Sequence, residues 1–327
     1  MAAETWLCAD IGGTKTLLGL ARRDGTQLRI TRCDTFIAAE LSGFYEALDR
    51  FLGRCGHPPV TAACLGVAGP VDGDHVRMTN LSWDIHARDV SARLGGAPTR
   101  LANDLEATAA GIDAVTPGQL TALQDGRRVE HAPQLVVAAG TGLGIASRIW
   151  NGRHYQVVPG ECGHMNWAPP TAAFDALLPH LRRAAGGERL TNEHVVSGIG
   201  LPHLYAAVAA DMGQAVPSQP VHGPELAERA RAGEAVAQRV VALFLAAYGS
   251  LAGDHALAVL ARGGVFIAGG IAQKWVTAMQ DGRFIEAFRA KPPYAHIAAS
   301  LPVHVVTEPA LPLIGAAVLA ERLTQAA

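Results

Sequence analysis

The chain has 327 residues, 49% hydrophobic and 17% charged, with 36 glycines and 19 prolines; this excludes a disordered segment, a fibrous repeat and a coiled coil and allows one large or two ordinary domains. Twenty-seven basic against 29 acidic residues leave a formal charge of −2, so no basic field exists to hold a long nucleic acid, and any bound anion is held locally. The five cysteines, Cys8, Cys33, Cys55, Cys64 and Cys162, contain no C-x-x-C pair and read as the reduced thiols of a cytoplasmic protein. The amino terminus lacks the basic region of a secretory signal. The hydrophobic stretch 240–253 falls short of the roughly 20 residues a bilayer requires, so no membrane partner is expected.

Apolar runs at 5–11 and 16–22 flank Gly12-Gly13-Thr14-Lys15, and a third at 27–37 follows Asp24-Gly25, which predicts an antiparallel meander. Leu41, Phe44, Tyr45, Leu48 and Leu52 recur with helical spacing, the pattern of an amphipathic helix over 41–52. A strand is expected at 60–68. After the Gly-Pro and Asp-Gly turns at 69–73, a short strand at 99–102 leads into a helix at 105–112, with Asn103-Asp104 at the junction. Runs at 134–139 and 143–150 form a second hairpin around Gly140-Thr141-Gly142. Strand, Gly/Thr turn and strand thus occur twice, about 130 residues apart, so the chain reads as two structurally related α/β lobes. Farther on, the longest helical pattern lies between 233 and 260, a buried strand at 264–268 ends in Gly269-Gly270, and 311–323 reads as a closing helix.

Gly12-Gly13-Thr14 either cradles a phosphate, the glycines taking positive φ so that N–H groups converge, or only closes a hairpin. Asp10 favours the first reading. A carboxylate at the end of a buried strand is costly unless it faces a cation, and magnesium on nucleotide phosphates supplies one, directly or through water. The stretch is not a P-loop, because Thr14 rather than glycine precedes Lys15 and a strand follows; no H-R-D or D-F-G segment marks a protein kinase. Gly140, Thr141 and Gly142 gain meaning as a partner turn on the same polyphosphate, with Thr14 and Thr141 as hydroxyl donors. Gly269-Gly270 allows close backbone approach to the adenosine end.

Asp104 is either a helix N-cap or a general base that takes the proton of an attacking hydroxyl while Asn103 holds a neighbouring one. Glu161 and His164, within Pro159-Gly160-Glu161-Cys162-Gly163-His164, pair an acceptor-only carboxylate with an imidazole, which suits a polyol. Cys162 and His164 as zinc ligands lack two further ligands nearby. Glu193 reads as a helix-start glutamate or as a ligand, and the remaining histidines are assigned nothing.

Taken in order, ADIGGTK, LAND, GTGLG, PGECGH, NEHVVSGIGL and GGVFIAGGI resemble the bacterial glucokinases that lack a zinc-binding cysteine cluster, within the superfamily of sugar kinases, actin and heat-shock ATPases. Met78-Thr79-Asn80 and the Pro-Leu-Ile-Gly-Ala-Ala stretch extend the resemblance over nearly the whole chain. It implies an actin-like (ribonuclease H-like) ATPase fold of two lobes around a central cleft: a small α/β lobe from 1–114 completed by a helix at 308–327, and a large lobe at 115–307. It implies transfer of the ATP γ-phosphoryl to the 6-hydroxyl of glucose with Asp104 as base. Asn80, Asn103, Glu161, His164 and Glu193 fall at sugar-binding positions. Asp10, Gly12, Gly13, Thr14, Gly140, Thr141, Gly142, Gly269 and Gly270 fall around the nucleotide, with Asp10 on the side of Mg2+.

A cytoplasmic homodimer with no nucleic-acid or membrane partner is the accompanying expectation. Lys15 stands where an uncharged residue is common, and Cys162 replaces the usual glycine, which could alter the pose of Glu161 and His164 or create sensitivity to oxidation. Two alternatives stand beside glucose phosphorylation: a kinase of mannose, glucosamine or fructose, and a non-catalytic sugar-sensing protein.

Overall fold

The computed structural model describes residues 4–78, 81–187 and 189–325. In chain order it begins with β1 (Trp6–Ile11), β2 (Lys15–Asp24), β3 (Gln27–Ile37), α1 (Phe44–Arg54), β4 (Ala62–Val67), β5 (His75–Arg77), β6 (Asp84–His86), α2 (Ala87–Arg93), β7 (Thr99–Asn103) and α3 (Asp104–Gly111). Next come β8 (Leu120–Gln124), β9 (Gln134–Ala139), β10 (Leu143–Trp150), β11 (Tyr155–Gly160), α4 (Ala172–Ala184), α5 (Gly200–Asp211), α6 (Gly223–Arg231) and α7 (Ala235–Ala258). The chain closes with β12 (Gly264–Ala268), α8 (Gly270–Lys274), α9 (Val276–Met279), α10 (Arg283–Arg289), α11 (Ala295–Ser300), β13 (Val303–Val306) and α12 (Leu311–Gln325).

Contacts divide the chain into two units, one of residues 1–116, 155–157 and 308–327, the other of 117–154 and 158–307. The five-stranded sheet of the first runs β3-β2-β1-β4-β7, and the six-stranded sheet β11-β10-β9-β12-β13-β8 belongs to the second apart from the start of β11. In each, a strand pairs antiparallel with the next strand in sequence and parallel with a distant one: β1 with β2 and β4, β9 with β10 and β12. The repeated hairpin pattern of the sequence therefore marks two sheets of like order.

Alternation along β1 sends Leu7, Ala9 and Ile11 into one buried cluster with Phe44, Leu48 and Phe51 of α1, whose spacing gives that helix its apolar stripe. The opposite face of the sheet meets α12: a side chain added at Gly19 would touch both Cys8 Sγ and Leu313. α3 packs on α12 closely enough that a Cβ on Gly315 would lie 1.7 Å from the Ala107 carbonyl oxygen, so only glycine permits the crossing. Arg23 and Glu321 close this arrangement, with Nε–Oε1 and Nη2–Oε2 contacts of 2.5 Å.

The core of the second unit is built on α7, with Val240, Phe244, Tyr248 and Leu251 buried beside Leu135, Val137 and Val265 of the sheet. Tyr248 donates its hydroxyl to the Val137 carbonyl and accepts from the Ala139 amide. The helix is longer than its most hydrophobic run: its 24 residues are long and apolar enough to cross a membrane by length and composition, but 61% of the relevant stretch is buried inside the protein. Its apolar surface is thus largely covered within its own unit.

Candidate active site

In the first unit, the carboxyl ends of three parallel strands gather the predicted groups. Asp10 in β1 is level with Gly66 in β4, and Val67 is level with Asn103 at the end of β7. Asn103, not Asp104, is the N-cap of α3: its side-chain oxygen accepts from the Leu105 amide at 2.9 Å, and its amide donates to the Gly69 carbonyl at 3.2 Å. Asp104 is the first helical residue, and its Oδ1 also accepts from Leu105 N, at 2.8 Å. The Asn-Asp junction thus fixes both side chains at the start of one helix, where negative charge is favourable.

Asp10 is half-buried. Burial pushes its pKa up to about 6, the neighbouring Asp104 carboxylate pushes the same way, and Lys15 only partly offsets them. Two carboxylates held close in a partly desolvated place form a hard-oxygen donor set, and charge repulsion between them is relieved by a divalent cation. The residues present therefore fit a hard divalent cation such as Mg2+.

The β1–β2 turn does not have the predicted backbone. Neither Gly12 nor Gly13 is among the positive-φ glycines, and the Gly12 amide donates to the Lys15 carbonyl at 3.0 Å. Hairpin closure uses that N–H, leaving the exposed Gly13, Thr14 and Lys15 at the tip. The β9–β10 turn closes similarly, Gly140 N donating to Gly142 O at 2.9 Å, with Thr141 exposed at its tip.

In the second unit, backbone hydrogen bonds join three predicted segments. Gly198 N donates to Gly140 O, Ile199 N to Thr141 O, and Glu193 N to Gly163 O. The Glu193 carboxylate reaches into the turn, where its Oε2 accepts from Leu143 N at 2.9 Å; a Cβ on Gly142 would lie 2.4 Å from that oxygen. A side chain at 142 would therefore displace the Glu193 carboxylate. Glu161 and His164 are both exposed, and their Oε2 and Nε2 atoms lie 3.9 Å apart. Gly269 follows β12 at φ 88°, and its Cα faces the Ala139 carbonyl so closely that a Cβ would come within 2.4 Å. Gly270, exposed, begins α8.

Asn192 was not singled out from the sequence, yet it braces this assembly. Its side-chain amide donates to Cys162 O at 2.8 Å and its backbone N–H to Met165 O at 3.0 Å. An asparagine between threonine and glutamate carries no local signal of such a role, which depends on two segments 30 residues apart. Cys162 is half-buried, and burial together with Glu161 raises its thiol pKa, which argues against the expected sensitivity to oxidation. Asn80 lies outside the described residues.

The glucokinase family model matches residues 7–323. A glucokinase of Mesorhizobium japonicum is 35% identical over 320 residues, covering 96% of this chain and 91% of that protein. Among solved structures, a glucokinase from an Antarctic psychrotroph superposes with TM-score 0.89 at 30% identity, covering 98% of this chain and 99% of the other. A ROK-family glucokinase from Streptomyces griseus in complex with glucose and AMPPNP shares the fold at TM-score 0.64 and 22% identity, with 98% and 100% coverage. The two like-ordered sheets are those of the actin-like ATPase fold of these sugar kinases, and the chain belongs to the glucokinase family.

Proposed function

We propose that this member of the glucokinase family transfers the γ-phosphoryl group of ATP to the 6-hydroxyl of glucose, with Asp104 as general base. The observation that carries the assignment is Asp10 near the carboxyl end of β1 with the Asp104 carboxylate beside it at the start of α3, directly after β7. Asp104 takes the hydroxyl proton as that oxygen attacks phosphorus, and ADP leaves with the bridging oxygen; this chemistry needs placement more than basicity. The first helical turn of α3 fixes the position of its carboxylate. Asn103 orients a neighbouring hydroxyl with its side-chain amide. Glu161 and His164 take sugar hydroxyls as acceptor and as donor or acceptor, and Glu193 joins them through the carboxylate oxygen that Leu143 does not use.

Thr14 and Thr141, at the tips of the two turns, offer hydroxyls and backbone N–H groups to phosphates, with Gly12, Gly13, Gly140 and Gly142 shaping those turns; Gly269 and Gly270 admit the nucleoside. Magnesium held by Asp10 would neutralise phosphate charge. Support for both ligands comes from the Streptomyces griseus relative, which was crystallised with glucose and AMPPNP. We place the reaction in the cytoplasm. The homodimer belongs to the same reading without a surface assigned to it, and sedimentation velocity would measure it.

The test is Asp104→Ala. Turnover in a coupled assay should fall by roughly 10²- to 10⁴-fold, while glucose binding measured by calorimetry is largely kept. Near-normal turnover would remove Asp104 from its role. Comparing glucose with mannose, glucosamine and fructose in the same assay decides between glucose and the other hexoses.

A further inference from the structure

We propose that His75, Asp84 and His86 form a binding site for a divalent transition metal of zinc's chemistry on the β5–β6 hairpin, made of residues other than those assigned to sugar and nucleotide. The hairpin pairs His75 with His86, Val76 with Ile85 and Arg77 with Asp84. Successive side chains alternate across a strand. Val76 and Ile85 take the inner face, 1% and 0% exposed, so His75, Arg77, Asp84 and His86 share the outer one.

The two imidazoles stack with centroids 4.4 Å apart and planes 16° from parallel. Each turns Nε2 toward the same carboxylate: His75 Nε2 contacts Asp84 Oδ1, and His86 Nε2 lies 3.7 Å from it. One ligand atom from each residue lies within 4.8 Å of the other two. Zinc bonds to imidazole nitrogen and carboxylate oxygen place tetrahedral ligands roughly 3.3 Å apart, so small side-chain rotations complete the set. The scaffold is prepared for this. The buried inner face anchors both strands, the Met78 amide donates to the Trp83 carbonyl to close the hairpin, and the register fixes which side chains meet.

The donor set selects the metal. Two imidazoles and one carboxylate suit zinc and its neighbours, whereas magnesium prefers oxygen ligands. Three protein ligands leave a position for water, which fits reversible binding. Arg77 is the opposing feature: paired directly across from Asp84, its guanidinium competes with a cation for the carboxylate.

Zinc alone, titrated into the metal-free full chain against a chromogenic chelator, tests the site. The native protein should bind one equivalent that a His75→Ala/His86→Ala variant binds at least tenfold more weakly. Asp84→Asn, which keeps the side-chain shape, should weaken binding in the same direction, Arg77→Ala should strengthen it, and a control at the exposed His296 (His296→Ala) should match the native chain. Thermal melting without metal shows that each variant is folded. Cobalt in place of zinc should give visible absorption that the double variant lacks. Equal zinc affinity and stoichiometry in the native chain and in both ligand variants would overturn the proposal. Because kinase activity without zinc should be unchanged in all of them, this test is independent of the assignment of Asp104.

Discussion

The Glu193 carboxylate accepts a hydrogen bond from the Leu143 amide at 2.9 Å and fills the space that any side chain on Gly142 would occupy. A residue assigned to the sugar thus also braces the turn assigned to phosphate. Glu193→Gln should raise the KM for ATP as well as for glucose, because the neutral amide holds the Leu143 N–H less strongly, hydrogen bonds to charged groups contributing about 1.5–3 kcal/mol. Gly142→Ala should do the same by displacing Glu193. Steady-state kinetics varying each substrate would check both; an effect confined to glucose would leave Glu193 with the sugar alone.

Asp10 makes stability depend on pH. Its folded-state pKa, about 6, lies above the ordinary 3.8, so its contribution is fully present below the lower value and is lost as pH rises through the upper one. In the absence of divalent metal, Asp10→Asn should match the native chain near pH 3.5 and exceed it at pH 8 by on the order of 3 kcal/mol. Denaturant unfolding of both proteins at the two pH values measures this. Added Mg2+ should narrow the gap at pH 8 by stabilising only the native chain.

The Glu161 side chain is exposed, with the His164 imidazole 3.9 Å away as its one partner among the described residues, so Glu161→Gln should leave the melting temperature within a degree or two and raise the KM for glucose about tenfold or more. ATP affinity should hardly change. Parallel loss of both affinities would mean that Glu161 supports the site instead of contacting the sugar.

The cysteines should react in order of exposure. Cys33 is exposed, Cys162 and Cys55 are half-buried, and Cys8 and Cys64 are buried. Burial and Glu161 raise the Cys162 thiol pKa, as burial and Asp34 raise that of Cys33, so exposure sets the order, and iodoacetamide followed by peptide mass analysis should label Cys33 first and Cys162 more slowly. Rapid loss of activity with Cys162 labelling would reverse this order.

Arg23 should matter more than Glu321. The glutamate is buried and the arginine partly exposed, so Arg23→Ala strands a buried carboxylate, at a cost of about 1–3 kcal/mol, whereas Glu321→Gln leaves a smaller burden. Thermal unfolding of the two variants would rank them.

Strong periodicity and turn chemistry made much of the fold legible. The expected strands at 134–139, 143–150 and 264–268 coincide with β9, β10 and β12, and the amino-terminal meander is β1, β2 and β3. What escaped were short or composite elements. β5 and β6 have three residues each, too few for alternation to register, and α4 holds Pro179 within it. At the site, residue types suggested chemistry while bonding came from distant partners. Asn103 rather than Asp104 caps α3, and Glu193 turned toward Leu143 cannot be read from its own neighbours. His75 and His86 meet only because of the hairpin register.

The first unit needs both ends of the chain, since α12 lies against β1, β4 and α3, while most of residues 117–307 between them form the other unit. On a ribosome, the opening strands emerge long before the helix that covers them. At typical synthesis rates the delay is roughly 15–60 s, during which the earlier sheet waits with an apolar side uncovered, a natural point for chaperone capture.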